Sequence, residues 1–264
     1  MNIPNRSEKS THIEILKDWA GLRQYDGAPV PSTVVHHALE LAKPATKGGI
    51  LVALLQPHQK QKFNKGFTAD LHSCATTSAV SDLVETVTGG RMGADDVSVF
   101  DALPFCPDGT EDGDILQDAQ DVFRRMVEAK QPDVVLCCYK DPSTGVLKDL
   151  SSLGVGKVFT EEDYLLGGDF TTKRVNAFHP SYAVHFHPTY SCFRRLLVAE
   201  FAQAFSHFSE AGLRADWVTK LREDCRRRAS ELSCKWTEPY TSDLYITHLL
   251  TEEDSQEKAQ MGHA

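Results

Sequence analysis

His179 is the residue best placed to do chemistry. It closes the apolar run VNAF and is followed at once by Pro180 and Ser181. Proline fixes φ and removes a backbone donor, so the histidine is held in a rigid turn at the end of a strand. A ring fixed there can present an N–H to negative charge developing on a reacting group. The plainer alternative is an ordinary surface turn, and fold alone does not choose between them. Ser181 is suited to positioning the turn or contacting a phosphate, and Tyr182 to serving as an apolar wedge or loop anchor. His185 and His187 lie nearby, but no cysteine or acid stands beside them at ligand spacing, so no metal site is expected. Asp101 falls in or just past the apolar run VSVFDALPF. A buried carboxylate needs a partner, so it either caps a turn or lines a site.

Several elements must position these groups. Ile13, Leu16, Trp19 and Leu22 recur at helical spacing over residues 11–23, and Ser32-Thr33 can cap a second helix running to about Ala42. ILVALL (50–55) is a continuous apolar run of strand length, suited to a strand buried on both faces. Residues 56–75 are polar and aperiodic and read as a long loop, the kind that is often functional. A helix over 76–87 ends at Gly89-Gly90, and 97–105 is the second strand. Asp114 can cap a helix from Ile115 to about Ala129, with its stripe at Leu116, Ala119, Phe123, Met126 and Val127. DVVLCCY is the third strand, GKVF (156–159) a short strand or connector, and RVNAF (174–178) the fourth strand. Phe193, Leu197, Phe201 and Phe205 mark an amphipathic helix over about 189–208, started by His187-Pro188 with proline near its first turn. Another helix follows through Leu213, Trp217, Leu221 and Cys225.

Alternation of this kind predicts an α/β fold, a three-layer α-β-α sandwich around a central, mainly parallel four-stranded sheet. Residues 1–10 read as a flexible N-terminus, 11–250 as one domain and 251–264 as a polar tail. Ligands of such sheets bind beyond the carboxyl ends of the strands. Here those ends are QPHQ, DALPFCP, YKDPS and HPS, all polar or proline-rich.

Composition narrows the function classes. The chain has 264 residues, 41% apolar and 25% charged, ordinary values for one globular domain. No apolar run reaches membrane-spanning length and the N-terminus has no apolar signal core, so an intracellular protein, nuclear or cytoplasmic, is expected. Seven irregularly spaced cysteines without a C-x-x-C pair read as reduced thiols. Cys137 and Cys138, adjacent in a strand, must face opposite sides and are expected to be small core residues. A net charge of −9 argues against tight non-specific nucleic-acid binding, leaving only a local basic face. Arg194-Arg195 and Arg226-Arg227-Arg228 read first as solvated faces. The dinucleotide fingerprint, the P-loop and the G-x-S-x-G elbow are all absent.

The ordered set ILVALLQPH, NKGF, VSVFDALPFCP, PDVVLCC and VNAFHPSY resembles the uracil-DNA glycosylase superfamily over about residues 48–208. The resemblance implies a four-stranded parallel sheet between helices, base flipping and hydrolysis of the glycosidic bond. It places Gln56, Pro57 and His58 at the water-activating motif, Phe67 at the base-stacking aromatic, Asp101 at the position that reads the base edge, and His179, Pro180 and Ser181 at the final loop, where Tyr182 would join the DNA contact. It implies DNA as partner and needs no metal and no organic or small-molecule cofactor; no membrane partner is expected from the hydropathy, and the oligomeric state is left open with a monomer as the expectation.

Two departures from the pattern matter. Gln56 stands where the most active relatives carry an acid, and glutamine cannot take a proton, so water would be held by Gln56 or accepted from by neutral His58. Asp101 stands where asparagine is usual, and an ionised carboxylate only accepts hydrogen bonds. It would repel O4 of uracil and suit an exocyclic amine better. The expectation is therefore a divergent glycosylase not optimised for uracil. The alternative is a catalytically inactive protein of the same architecture that binds nucleic acid or protein.

Overall fold

The computed structural model describes residues 11–25, 28–55, 57, 63–105, 113–140, 163–166, 170–181 and 191–207. Helix α1 (His12–Leu22) is followed by a two-residue hairpin, β1 (Gln24–Tyr25) with β2 (Ala28–Pro29), and by α2 (Ser32–Leu41). Then come β3 (Ile50–Leu54), α3 (Phe67–Ser73), α4 (Ala75–Thr88), a short 3-10 turn and β4 (Ser98–Asp101). The chain continues through α5 (Gly113–Lys130), β5 (Val134–Lys140), β6 (Asp163–Leu166), β7 (Phe170–Phe178) and α6 (Ser191–Ser206).

The main sheet has the order β4-β3-β5-β7-β6. The first four strands are mutually parallel, and β6 pairs antiparallel to β7 at the edge. Strand β3 is buried at every position, as its unbroken apolar run requires when both faces are covered. Side-chain alternation splits the sheet into two cores. Ile50, Val52, Leu54, Val134, Leu136, Cys138, Val175 and Ala177 face α4 and α6. Leu51, Ala53, Phe100, Val135 and Cys137 face α1, α2 and α5. The adjacent thiols therefore lie in opposite cores, free and buried, and burial pushes Cys137 up to about 12 and Cys138 well above its usual value. Each such fully buried Leu, Ile or Val contributes about 1.5–3 kcal/mol.

Several expectations change in the details. The sheet has a fifth strand, β6, and β7 starts at Phe170 rather than 174, because the two pair antiparallel ahead of the apolar run. β4 stops at Asp101, although the chain just beyond it stays bonded to the end of β3 through Ala102 and Leu103. The stretch expected to be loop contains α3, nucleated where Gly66 (φ +89°) turns the chain and Asp70 accepts from the Lys65 N–H at 3.3 Å. Only glycine adopts that φ without strain. Ser32 is the first residue of α2 and caps nothing; Pro31 precedes it. In α1 the buried face is His12, Ile15, Leu16, Trp19 and Ala20, while Leu22 is exposed. Its N-terminus carries a capping box: Thr11 Oγ1 accepts from Glu14 N–H and Glu14 Oε2 from Thr11 N–H. The 1–10 segment, GKVF, the His187-Pro188 helix start, the whole helix expected over 213–225 and the 251–264 tail lie outside the described residues.

The amino edge of the sheet is stitched by polar groups. Buried Lys130, at the end of α5, donates through Nζ to Pro44 O at 2.9 Å and Thr46 O at 2.7 Å. Asp133 accepts from Gly49 N–H at 2.8 Å, and a Cβ on Gly48 would stand 3.4 Å from its Oδ2. These bonds hold the segment that delivers the chain into β3. Replacing Lys130 with methionine keeps the stem and removes both bonds. It is expected to lower unfolding free energy by about 1–2 kcal/mol, measured by urea denaturation; an unchanged midpoint would show that Lys130 does not hold this segment.

Candidate active site

Four strand ends meet at the opposite edge. Leu54 and Asp101 are ladder partners, and the chain beyond them stays zipped: Ala102 N–H donates to Leu54 O at 2.9 Å and Leu103 N–H to Leu55 O at 2.8 Å. β5 runs to Lys140, paired with Phe178, and His179 follows directly. Asp101 and His179 thus share one edge with β3 and β5 between them. At a strand spacing near 4.8 Å this is a separation of roughly 14 Å across the sheet.

The histidine turn is fixed from within. His179 Nδ1 lies 2.6 Å from Ser181 Oγ and 3.4 Å from the Ser181 backbone N. The backbone N–H can only donate, so Nδ1 is an acceptor, the serine hydroxyl donates to it as well, and the ring proton is carried on Nε2. Burial lowers the ring's pKa from 6.5 to about 4, so it is neutral at physiological pH. A neutral imidazole with a free Nε2–H stabilises an oxyanion by hydrogen bonding and not by proton transfer. Pro180 and Ser181 are buried beneath it.

Asp101 is half-buried. Desolvation raises its carboxyl from 3.8 to about 7, and among the described residues nothing hydrogen-bonds it. It is therefore half protonated near neutral pH. A protonated carboxyl both donates and accepts, as an asparagine amide does. The expectation of an acceptor-only group narrows to alkaline conditions.

Phe67 opens α3 and is packed rather than open. Its ring lies 5.2 Å from that of His37, which lies 4.7 Å from Phe63. His37 is buried in α2, and desolvation lowers its pKa to about 4. Phe67 and Asp101 line adjoining clefts that share Leu41 and Val99, but the clefts measure only about 20 and 10 Å³. Neither holds more than a water. Pro57 is half-buried; Gln56, His58 and Tyr182 lie outside the described residues. Phe67 and Asp101 thus line neighbouring clefts, and His179 stands on the same edge as Asp101, three strands further on. The His37 partnership of Phe67 went unread in the sequence, although the paired histidines of VVHHALEL on a helix signal it.

A much larger cleft than these two lies elsewhere. About 640 Å³ in volume, it lies at the amino edge between Lys47, Arg91, Asp96, Lys130 and Asp133. Its buried cation and both of its carboxylates already bond to backbone, so these groups hold the fold together at this edge. No group of three or more metal-ligating side chains occurs among the described residues, and none of their helices is long and apolar enough to cross a membrane.

The architecture defines a class: an α/β protein with a four-stranded parallel core between helical layers. No family model matches the chain, and no curated protein matches it.

The ring chemistry has a pH signature. His12, His37 and His179 each have a folded pKa of about 4 against 6.5. The unfolded chain binds more protons in that window, so their contribution is full above pH 6.5 and is lost as the pH falls through 4. Asp101, raised to about 7, acts in the opposite sense, its contribution present below 3.8 and lost as the pH rises through 7. Three groups outweigh one, so the urea midpoint should fall between pH 6.5 and 4. Nitrogen-15 spectra should show His179 as the Nε2–H tautomer until about pH 4; a titration midpoint near 6.5 would mean a solvated, unfixed ring.

Proposed function

We propose that this chain is a DNA glycosylase that flips a damaged or modified base and hydrolyses its N-glycosidic bond at the carboxyl edge of the sheet. The observation that carries the reading is the His179 turn: a neutral imidazole, its Nδ1 occupied by Ser181, its Nε2–H without an acceptor among the described residues. The ordered motifs from QPH to HPS support it, as does the parallel core from which each motif emerges.

In this reading a water, held by Gln56 or His58, attacks C1′ of the flipped nucleotide. The glycosidic bond breaks, its electron pair leaves with the base, and His179 Nε2–H hydrogen-bonds the base carbonyl oxygen on which charge collects. The attacking water gives up a proton to neutral His58 or to solvent, and the departing base takes one from solvent. Phe67 stacks on the base and Asp101 meets its edge, while Ser181 and Tyr182 contact the DNA strand. No cofactor enters.

A second reading has an observation of its own. The clefts beside Asp101 and Phe67 are too small for a base, and Gln56 replaces the acid. These features favour a protein of this architecture that binds nucleic acid or protein without chemistry.

One assay separates the two. Oligonucleotides carrying uracil, modified pyrimidines and deaminated purines are incubated with the protein at pH 6 and pH 8. The glycosylase reading expects excision that falls about 10²–10³-fold in His179→Ala. It also expects excision of uracil, relative to a base with an exocyclic amine, to decline from pH 6 to pH 8 as Asp101 ionises, and Asp101→Asn to abolish that dependence. Salt-sensitive binding without cleavage would establish the binding module. No binding at low salt would reject both nucleic-acid roles.

A further inference from the structure

Helix α6 presents an apolar face to the sheet: Leu197, Ala199, Phe201, Ala202, Ala204 and Phe205 are all buried. Glu200 is buried among them with no measurable exposure. A carboxylate removed from water on such a face costs several kcal/mol unless it is paired. One partner is explicit. Glu200 Oε2 accepts the backbone N–H of Phe178 at 3.0 Å, across 22 residues of chain. Its charge also reaches Cys138 on the neighbouring strand, where it is one cause of that thiol's raised pKa.

Phe178 is where the ladder changes. β5 and β7 pair in register as far as Cys137 with Asn176, then slip, so that Lys140 stands opposite Phe178. One extra residue in β5 marks a bulge, a device that turns a strand and re-aims the side chains beyond it. The next residue is His179. A bulge alone leaves the last residues of a strand loosely held, because their ladder bonds are disrupted. Here a helix side chain takes the N–H immediately before the turn.

We propose that Glu200 is the positioning residue of the His179 turn: its carboxylate anchors the Phe178 N–H at the β5 bulge and so fixes the direction in which the imidazole leaves the sheet. The proposal rests on the reading of His179 as the group that acts, but only for its functional consequence. From sheet to ring the sequence of holds is Glu200 to Phe178 N–H, then the Pro180 turn, then Ser181 to His179 Nδ1. Each bond has a donor and an acceptor, and together they orient the ring before any substrate binds.

The test reads the turn directly. In labelled wild-type protein, a scalar coupling across the hydrogen bond should connect the Phe178 amide nitrogen to the Glu200 carboxyl carbon. Its absence would overturn the proposal without any variant. In Glu200→Leu, which fills the same space, Phe178 amide exchange should accelerate about tenfold or more, and the His179 ring should pass from the single Nε2–H tautomer to a mixture. Glu200→Gln retains an acceptor oxygen and should restore both signals. An unchanged amide and a single tautomer in the leucine variant would overturn the proposal, as would a glutamine variant as perturbed as leucine. In a glycosylase assay the leucine variant should lose kcat with KM held, by less than His179→Ala does. Should His179→Ala leave excision untouched, the role of the histidine falls while the anchor is still decided by the spectra.

Discussion

The burial of β3 is the constraint on which the rest depends. Five consecutive residues, Ile50–Leu54, are buried, none more than 3% exposed, so their backbone groups must be satisfied by strands on both sides. β4 supplies one ladder and β5 the other. Because β5 in turn carries β7, the positions of Asp101 and His179 follow from the registers of three parallel ladders. A one-residue slip in any of them would send the inward side chains to the opposite core. The two cores differ in shape and content, with Phe100 and Phe123 on one side and Phe201 and Phe205 on the other. Packing therefore enforces the register, and the register sets the spacing of the candidate site.

The two edges of the sheet are built on different electrostatic terms. At the amino edge Lys130 and Asp133 bond to backbone and close the structure, although burial holds the Lys130 ammonium down to about 8. At the carboxyl edge the same low-polarity surroundings act on groups whose protons matter. His179 is kept neutral and Asp101 is kept partly protonated. Asp101 gains a donor proton at neutral pH that its free side chain lacks, and His179 keeps one N–H, which the Ser181 contact places on Nε2. Pairs of titratable groups pushed away from their ordinary values and sharing one edge are a common mark of function.

Much of the fold was legible because its strongest signals are periodic. The fully apolar β3 run, the alternation of strands and helices, and the opposed Cys137 and Cys138 followed from patterning. β6 was not legible: DYLL is short, and its pairing with β7 is antiparallel at an edge, where no long apolar run is required. α3 was hidden because one turn of the chain at Gly66 and one carboxylate, Asp70, hold it, and these leave no periodic trace. Within the candidate site, the His179-Pro180-Ser181 turn was readable, but the tautomer required the Ser181 geometry. The protonation of Asp101 required its burial. Glu200 was readable in principle, since it lies three residues after Leu197 and one before Phe201, inside an apolar stripe where a carboxylate is out of place.

The central claim is that the carboxyl edge, and not the larger cleft at the amino edge, receives the ligand. Titrating nitrogen-15-labelled protein with a short DNA duplex that contains an abasic nucleotide tests this most directly, because it needs no turnover. The account predicts that the amides of Ala102, Leu103, His179 and Ser181 shift together and saturably. Shifts confined to Gly48, Gly49, Arg91 and Asp133, around the amino-edge cleft, would contradict it.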